Sequence, residues 1–217
     1  EKSREEYIYE ICHNIISIVS REGLAKFIDV FVEVNYFTKE EADKIFTFGK
    51  KYGLTAKLHT DQFNSVGGIE TGIKHNAASV DHLEVLKEDD IELLAAHCKD
   101  KKKRNIIATV LPGVSYFLGI PYAPARKLIS KKIPVALATD FNPGSCMTEN
   151  IQMIMSLASV HLKMTAEEIL NAVTINAAFA LNIESKSGSI ETGKQADLLI
   201  FDMPSYKYLV YNFGVNH

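Results

Sequence analysis

The chain is poor in cysteine, has no basic surplus and carries no long apolar run. Each absence removes a class of function. Cys12, Cys98 and Cys146 are widely spaced, odd in number and never arranged as CxxC. This spacing suggests neither a disulfide framework nor a cysteine zinc site, and a reducing cytoplasm fits best. No apolar stretch of about 18 residues and no signal-peptide pattern occurs, so no membrane partner is expected. Lys and Arg number 24 against 27 Asp and Glu, a net charge of −3. Bulk charge therefore gives no reason to expect nucleic acid or an anionic membrane as partner. The one basic run, Lys101 to Arg104, follows Asp100 and reads as a solvated loop. No GxGxxG follows the first predicted strand, which weakens a dinucleotide-binding reading. The first residue is Glu1, not Met, and reads as a chain that does not begin where its gene does.

What is present is an alternation of helices and short apolar strands over 217 residues. That length allows one large domain, or one domain with a small satellite. Capping boxes pair Ser3 with Glu6, Thr38 with Glu41 and Thr165 with Glu168, each opening a helix. Strands are predicted at 27–33 (FIDVFVE), 55–59 (TAKLH), 79–83, 105–111 (NIIATVL) and 134–139 (PVALAT). Helices are predicted near 69–75, 89–98, 123–130, 149–162 and 165–181, and Pro112 and Gly113 break the strand at 105–111. Five strands at βα spacing imply a parallel sheet with crossover helices. A doubly wound sheet and a TIM barrel both satisfy this pattern. After Leu181 the style changes: 188–193 reads as a turn or hairpin, and 196–202 (ADLLIFD) as a strand. The expected division is a (β/α) catalytic domain at 1–185 and a segment of a small β domain at 186–217.

Ionisable residues gather at the C-terminal ends of the predicted strands: Glu33, His59, His82 and Asp140. In both candidate folds ligands bind at that end. Three segments stand out: KLHTDQ from Lys57, DHLE from Asp81 and TDFNPGS from Thr139. Neutral imidazole and carboxylate are suitable ligands for zinc or iron. Such an ion lowers the pKa of a water toward about 7, and a nearby His or carboxylate must then shuttle the proton. The plainer readings are that a strand-end His is a hydrogen-bonded structural residue and that the Asp before Phe-Asn-Pro-Gly is a turn former. Their occurrence in order, on successive βα units, favours the metal site.

These segments, with TINAAFAL, GKQADLLIFD and the terminal FGVNH, resemble the imidazolonepropionase family of the amidohydrolase superfamily. The resemblance covers nearly the whole chain. TDFNPGS and FGVNH are its specific motifs; the ADLLIFD segment is shared across the superfamily. It implies a distorted (β/α)8 barrel, here about strands 4–8, plus part of a small β-sandwich domain. It also implies metal-dependent hydrolysis of 4-imidazolone-5-propanoate to N-formimidoyl-L-glutamate, with one zinc or iron ion. By resemblance, His59 and Asp140 are metal ligands, and His82 acts with Asp140 in catalysis by polarising substrate or moving protons. Gln62, Asn142, Gly144 and Ser145 are the implied substrate contacts.

The family's HxH motif, which supplies two further ligands, occurs nowhere in this sequence. Two ligands are too few for a catalytic zinc site, so the polypeptide alone is expected to be inactive or nearly so. A partial barrel also leaves two sheet edges, which a homodimer could cover. Two alternatives stay open: another cyclic-amide hydrolase or deaminase of the superfamily, and a non-catalytic assembly partner. Glu33 is a candidate for lining the cavity. Cys146 reads as a bystander, and His13, His75, His97 and His161 as helical residues outside the site. His217 belongs to the FGVNH motif.

Overall fold

The computed structural model describes residues 2–100 and 102–215. His217, and with it the end of the FGVNH motif, lies outside the described residues. The chain opens with α1 (Arg4–Glu10), a π-helical turn (Ile11–Ile15) and α2 (Ile16–Arg21). There follow β1 (Phe27–Val32), α3 (Lys39–Lys51), β2 (Thr55–Thr60), α4 (Gly68–Lys74), β3 (Ser79–His82) and α5 (Glu88–Lys99). Next come β4 (Ile107–Val110), α6 (Pro112–Leu118), α7 (Ala125–Ser130) and β5 (Val135–Leu137). Helices α8 (Ile151–Val160), α9 (Ala166–Val173), α10 (Ile175–Ala180) and α11 (Tyr208–Tyr211) complete it. The three predicted capping boxes are all formed, at the starts of α1, α3 and α9. Each satisfies two otherwise orphaned donors of a first turn.

The five strands lie in the order β1-β2-β3-β4-β5, every pair parallel. This order decides between the two folds that the sequence left open. A doubly wound sheet reverses its strand order at a switch point, whereas a barrel adds each strand beside the last. Right-handed crossovers in one direction place the helices on one face of the sheet. Toward them point Val30, Val32, Leu58, Val80, Val110 and Leu137, which join Phe46, Ile69, Leu94 and Leu128 in one buried core. Fully burying one such Leu or Phe contributes about 1.5–3 kcal/mol. The alternate residues, among them Asp29, Phe31, Lys57, His59, Asp81 and Thr109, lie on the other face, the interior wall of the partial barrel.

Close packing of α4 on β2 depends on Gly68. A Cβ there would lie 2.0 Å from Thr60 Oγ1 and 2.6 Å from Thr60 Cβ. Gly67, which caps this helix at φ 86°, makes the sharp entry that leads the chain off the loop after β2.

Two local expectations change, and one helix forms that was not expected. Pro112 and Gly113 end the strand as expected and also open α6, the unexpected helix, because proline at the first helical turn loses no hydrogen bond. The single helix expected over 165–181 is two, divided at Thr174 (φ −119°, ψ −94°). The Thr174 hydroxyl donates to Leu170 O at 2.5 Å, a back-bond that disturbs helical hydrogen bonding. The strand expected at 196–202 does not form. A strand needs a paired neighbour, and among the described residues none flanks this segment; Leu199 and Ile200 are 81% and 98% exposed. The turn reading of 188–193 holds, with Gly188 and Gly193 both at positive φ. Further on, α11 packs on α8, and Leu209 enters the main core.

Candidate metal centre

Strand register sets the site. His59 on β2 stands opposite Phe31 on β1 and Asp81 on β3, all at the same level of the interior wall. Simple alternation would turn His82 away from this wall, because Asp81 occupies it. The backbone breaks the alternation: His82 and Leu83 both take positive φ, 86° and 73°. Such conformations cost a non-glycine residue about 1–2 kcal/mol each, and they end the strand at this point. The result is that the His82 ring returns to His59, with ring centroids 5.3 Å apart. Asp140, also at positive φ (51°), follows β5 and comes in from the other side.

His59, His82 and Asp140 each offer one ligand atom, and these atoms lie within 4.8 Å of one another. Donors bonded to a tetrahedral ion at about 2.0–2.2 Å are about 3.4 Å apart, so closure needs movements of about an ångström. Two imidazoles and a carboxylate form a donor set suited to zinc or iron. His82, expected to polarise substrate or move protons, also stands within ligand range.

The surroundings fix the imidazoles. His59 Nδ1 is 2.7 Å from Asp29 Oδ2 and 4.0 Å from Asp81 Oδ2. Burial pushes the His59 imidazolium down. The Asp29 hydrogen bond and the charges of Asp29, Asp81 and Asp140 outweigh it, and the pKa is raised. His82 Nδ1 lies 3.5 Å from Glu84 Oε1, whose carboxylate is also 3.5 Å from Ser115 Oγ. The Glu84 side chain is fully buried, and its Oε2 has no hydrogen-bond partner among the described residues. Ser79 Oγ, Asp81 Oδ1 and Thr109 Oγ1, all on the interior wall, are buried and unpartnered in the same sense. A polar lining of this kind is what a small polar ligand or ordered water requires.

The loop after β5 is organised by Asn142. Its amide donates to Asp140 O at 2.7 Å, Asp140 Oδ2 at 3.1 Å and Ser145 Oγ at 2.9 Å. Its Oδ1 accepts from the N–H groups of Gly144 and Ser145, both at 2.8 Å. The side chain expected to touch substrate thus also holds the loop together and restrains the Asp140 carboxylate. Gln62 is buried in the loop after β2, beside Asp61. Burial raises the Asp61 carboxyl to about 6; Asp90 and Glu33 add to this, while Ser65 and Thr60 hydrogen bonds oppose it.

Glu33 does not line the interior wall. Its buried carboxylate accepts from Val34 N (2.7 Å), Phe63 N (3.0 Å), Asn64 N (3.0 Å) and Asn64 Nδ2 (2.9 Å). It clamps the loop that carries Gln62. Outside the site, His75 is half-buried, with Nε2 2.7 Å from Asp43 Oδ1. His97 is buried against Arg104 O at 3.0 Å. Cys146 is buried with its thiol pushed up by burial, as a bystander should be. Sequence reasoning missed Asp29, Asp81 and Glu84. The available signal was an acidic side chain on the inward parity of an otherwise apolar strand, plain in FIDVFVE.

Comparison with known proteins bears on this geometry. Imidazolonepropionase of Thermoanaerobacter pseudethanolicus is 47% identical over 211 residues, covering 97% of this chain and 49% of that protein. Imidazolonepropionase of Christiangramia forsetii is 43% identical over 213 residues, covering 98% and 50%. The chain thus spans about half the length of the curated relatives it matches. A solved adenosine deaminase from Xanthomonas campestris with bound zinc shares the fold at TM-score 0.71 and 19% identity, over 85% of this chain and 47% of that one. The amidohydrolase family profile matches residues 32–216, which takes in β2 to β5 with only the last residue of β1, the candidate ligands and the loop after β5. The chain belongs to the amidohydrolase family.

Proposed function

We propose that this chain supplies the C-terminal, metal-holding half of an imidazolonepropionase, which hydrolyses 4-imidazolone-5-propanoate to N-formimidoyl-L-glutamate. The observation that carries the reading is the convergence of His59, His82 and Asp140 from β2, β3 and the end of β5. The relatives' shared name and their 41–47% identity supply the substrate. His59 and Asp140 would hold one zinc or iron ion, which would supply Lewis acidity for the hydrolysis. His82, poised by Glu84, takes or returns the proton at the scissile amide. Asn142 keeps the Asp140 carboxylate aimed, and the loop of Gly144 and Ser145 closes beside the bound ring. Gln62 offers a carboxamide to the ring's polar atoms from the loop that Glu33 clamps.

Residues 186–217 are read as this chain's contribution to a small β domain, for which exposed Leu198, Leu199 and Ile200 are the support. No helix among the described residues is long and apolar enough to cross a membrane; a cytoplasmic location accords with the unpaired cysteines.

The test is product formation. The 217-residue chain and the complete product of its reading frame are assayed side by side for N-formimidoylglutamate. Turnover by the complete product, abolished in His59→Ala and Asp140→Ala and cut at least 100-fold in His82→Ala with metal retained, is expected. Normal turnover in His82→Ala refutes its role. Hydrolysis of a different cyclic amide in preference refutes the substrate.

A further inference from the structure

We propose that Asp29 is a positioning residue: its carboxylate accepts the Nδ1–H of His59 and so dedicates the ring's Nε2 to the metal. The inference rests on the metal reading above and adds a residue to it. Asp29 sits two positions before Phe31 on β1, and Phe31 is the register partner of His59. Asp29 and His59 are therefore diagonal neighbours on the same wall, within reach of each other across two parallel strands.

Three observations single out this pair. The first is distance. Asp29 Oδ2 to His59 Nδ1 is 2.7 Å, a charge-assisted hydrogen bond by length, whereas Asp81 stands at 4.0 Å from the same nitrogen. The second is that Asp81 has another cation: Lys57 Nζ is 3.8 Å from Asp81 Oδ2. Asp81 thereby balances Lys57, and Asp29 is left to His59. The third is ring restraint. Phe31 meets the His59 ring edge-on at 6.4 Å between centroids, and His82 lies at 5.3 Å on a tilted plane. These rings and the Nδ1 hydrogen bond together restrain the His59 ring.

The chemical consequence concerns tautomers. A neutral imidazole carries its proton on one nitrogen only, and a metal binds the other. Without a partner, His59 would distribute its proton between both nitrogens and part of the population would present N–H to the ion. With Nδ1–H donated to Asp29, the whole population presents a lone pair on Nε2, and the carboxylate raises the basicity of that nitrogen. Asp29, His59 and Asp81 can also be viewed as a second group of ligand atoms within 4.8 Å. The Nδ1 contact argues against that use, because an ion there would have to displace the Nδ1 proton that Asp29 binds.

The test uses the 217-residue chain. Imidazole nitrogens of metal-free ¹⁵N-labelled protein are read by long-range proton–nitrogen correlation, and zinc is titrated against a chromophoric chelator. Wild type should show His59 as the Nδ1–H tautomer and bind one zinc. Asp29→Ala should lose the single tautomer and bind zinc about 10–100-fold more weakly. Asp29→Asn, which keeps an acceptor oxygen without the charge, should retain most of the tautomer bias with a smaller loss of affinity. It also serves if the alanine variant does not fold. An unchanged His59 tautomer in both variants overturns the proposal, as does a second zinc that disappears with Asp29. Failure of wild type to bind zinc overturns the reading that His59, His82 and Asp140 hold the ion by themselves, and tautomer loss in Asp29→Ala then still establishes the hold of Asp29 on His59.

Discussion

Replacing Glu33 with Gln tests the loop clamp, and the outcome can be worked from four distances. Oε1 accepts from Val34 N and Asn64 Nδ2; Oε2 accepts from Phe63 N and Asn64 N. A glutamine has one oxygen, so in either orientation its NH2 faces two donors. A hydrogen bond to a charged group contributes about 1.5–3 kcal/mol, which makes the gross loss about 3–6 kcal/mol. Asn64 is exposed, so water can take over some of its donors, and the lower end, about 3 kcal/mol, is expected. The loss should carry a pH signature. Burial pushes the Glu33 carboxyl up, but the donors of Phe63, Asn64 and Val34 and the Asn64 side chain outweigh it and hold it below the ordinary 4.5. A depressed carboxylate stabilises the fold above its unfolded pKa, and that stability is lost as pH falls through the folded value. The gap between wild type and Glu33→Gln should therefore be full at pH 7 and shrink below about pH 4.5. Urea denaturation across pH 3.5 to 7.5 measures it, and hydrogen exchange at the Phe63 and Asn64 amides locates it. A gap under about 0.5 kcal/mol at pH 7, or one that is flat with pH, refutes the reasoning.

Gly68→Ala should destabilise by about 1–3 kcal/mol, because its Cβ would lie 2.0 Å from Thr60 Oγ1; a melting temperature within a degree of wild type would contradict this. Cys12, Cys98 and Cys146 all have thiols pushed up by burial, so iodoacetamide at pH 7.5 should label the native chain far more slowly than the unfolded one. Mass spectrometry that finds equal rates would sink that account. Ile200→Ser, at a side chain 98% exposed, should change the stability of this chain by less than about 0.5 kcal/mol in a thermal melt; a loss above 1 kcal/mol would mean that 196–202 is paired after all.

The strands were legible because each is short, apolar and β-branched between helices with clear caps, and the predicted spans contain or overlap all five observed ones. The barrel order was not legible, since βα alternation fixes parallel pairing but not which strand neighbours which. At the site, His59 could be placed by its position at the end of TAKLH. His82 could be named but not aimed: its approach to His59 depends on two residues at positive φ, which composition does not announce. Asn142 shows the opposite limit. Its motif marks it for substrate, but no motif announces that its amide group also ties together Asp140, Gly144 and Ser145. Thr174 and the 196–202 segment misled for one reason: local propensity was sound, but a back-bonding hydroxyl in one case and the lack of a paired strand in the other decided the outcome.

The sheet is one residue thick, and its two sides have different duties. Along β2, Leu58 is wholly inside the apolar layer while His59, its neighbour, faces the candidate metal centre. Odd and even positions of that strand are thus under separate physical demands: a polar replacement of Ala56 or Leu58 should empty the soluble fraction, while one at Lys57 or His59 should leave a well-folded protein with an altered wall. A saturation library over Thr55–Thr60, sorted once for solubility and once for zinc retention, should split into two interleaved combs.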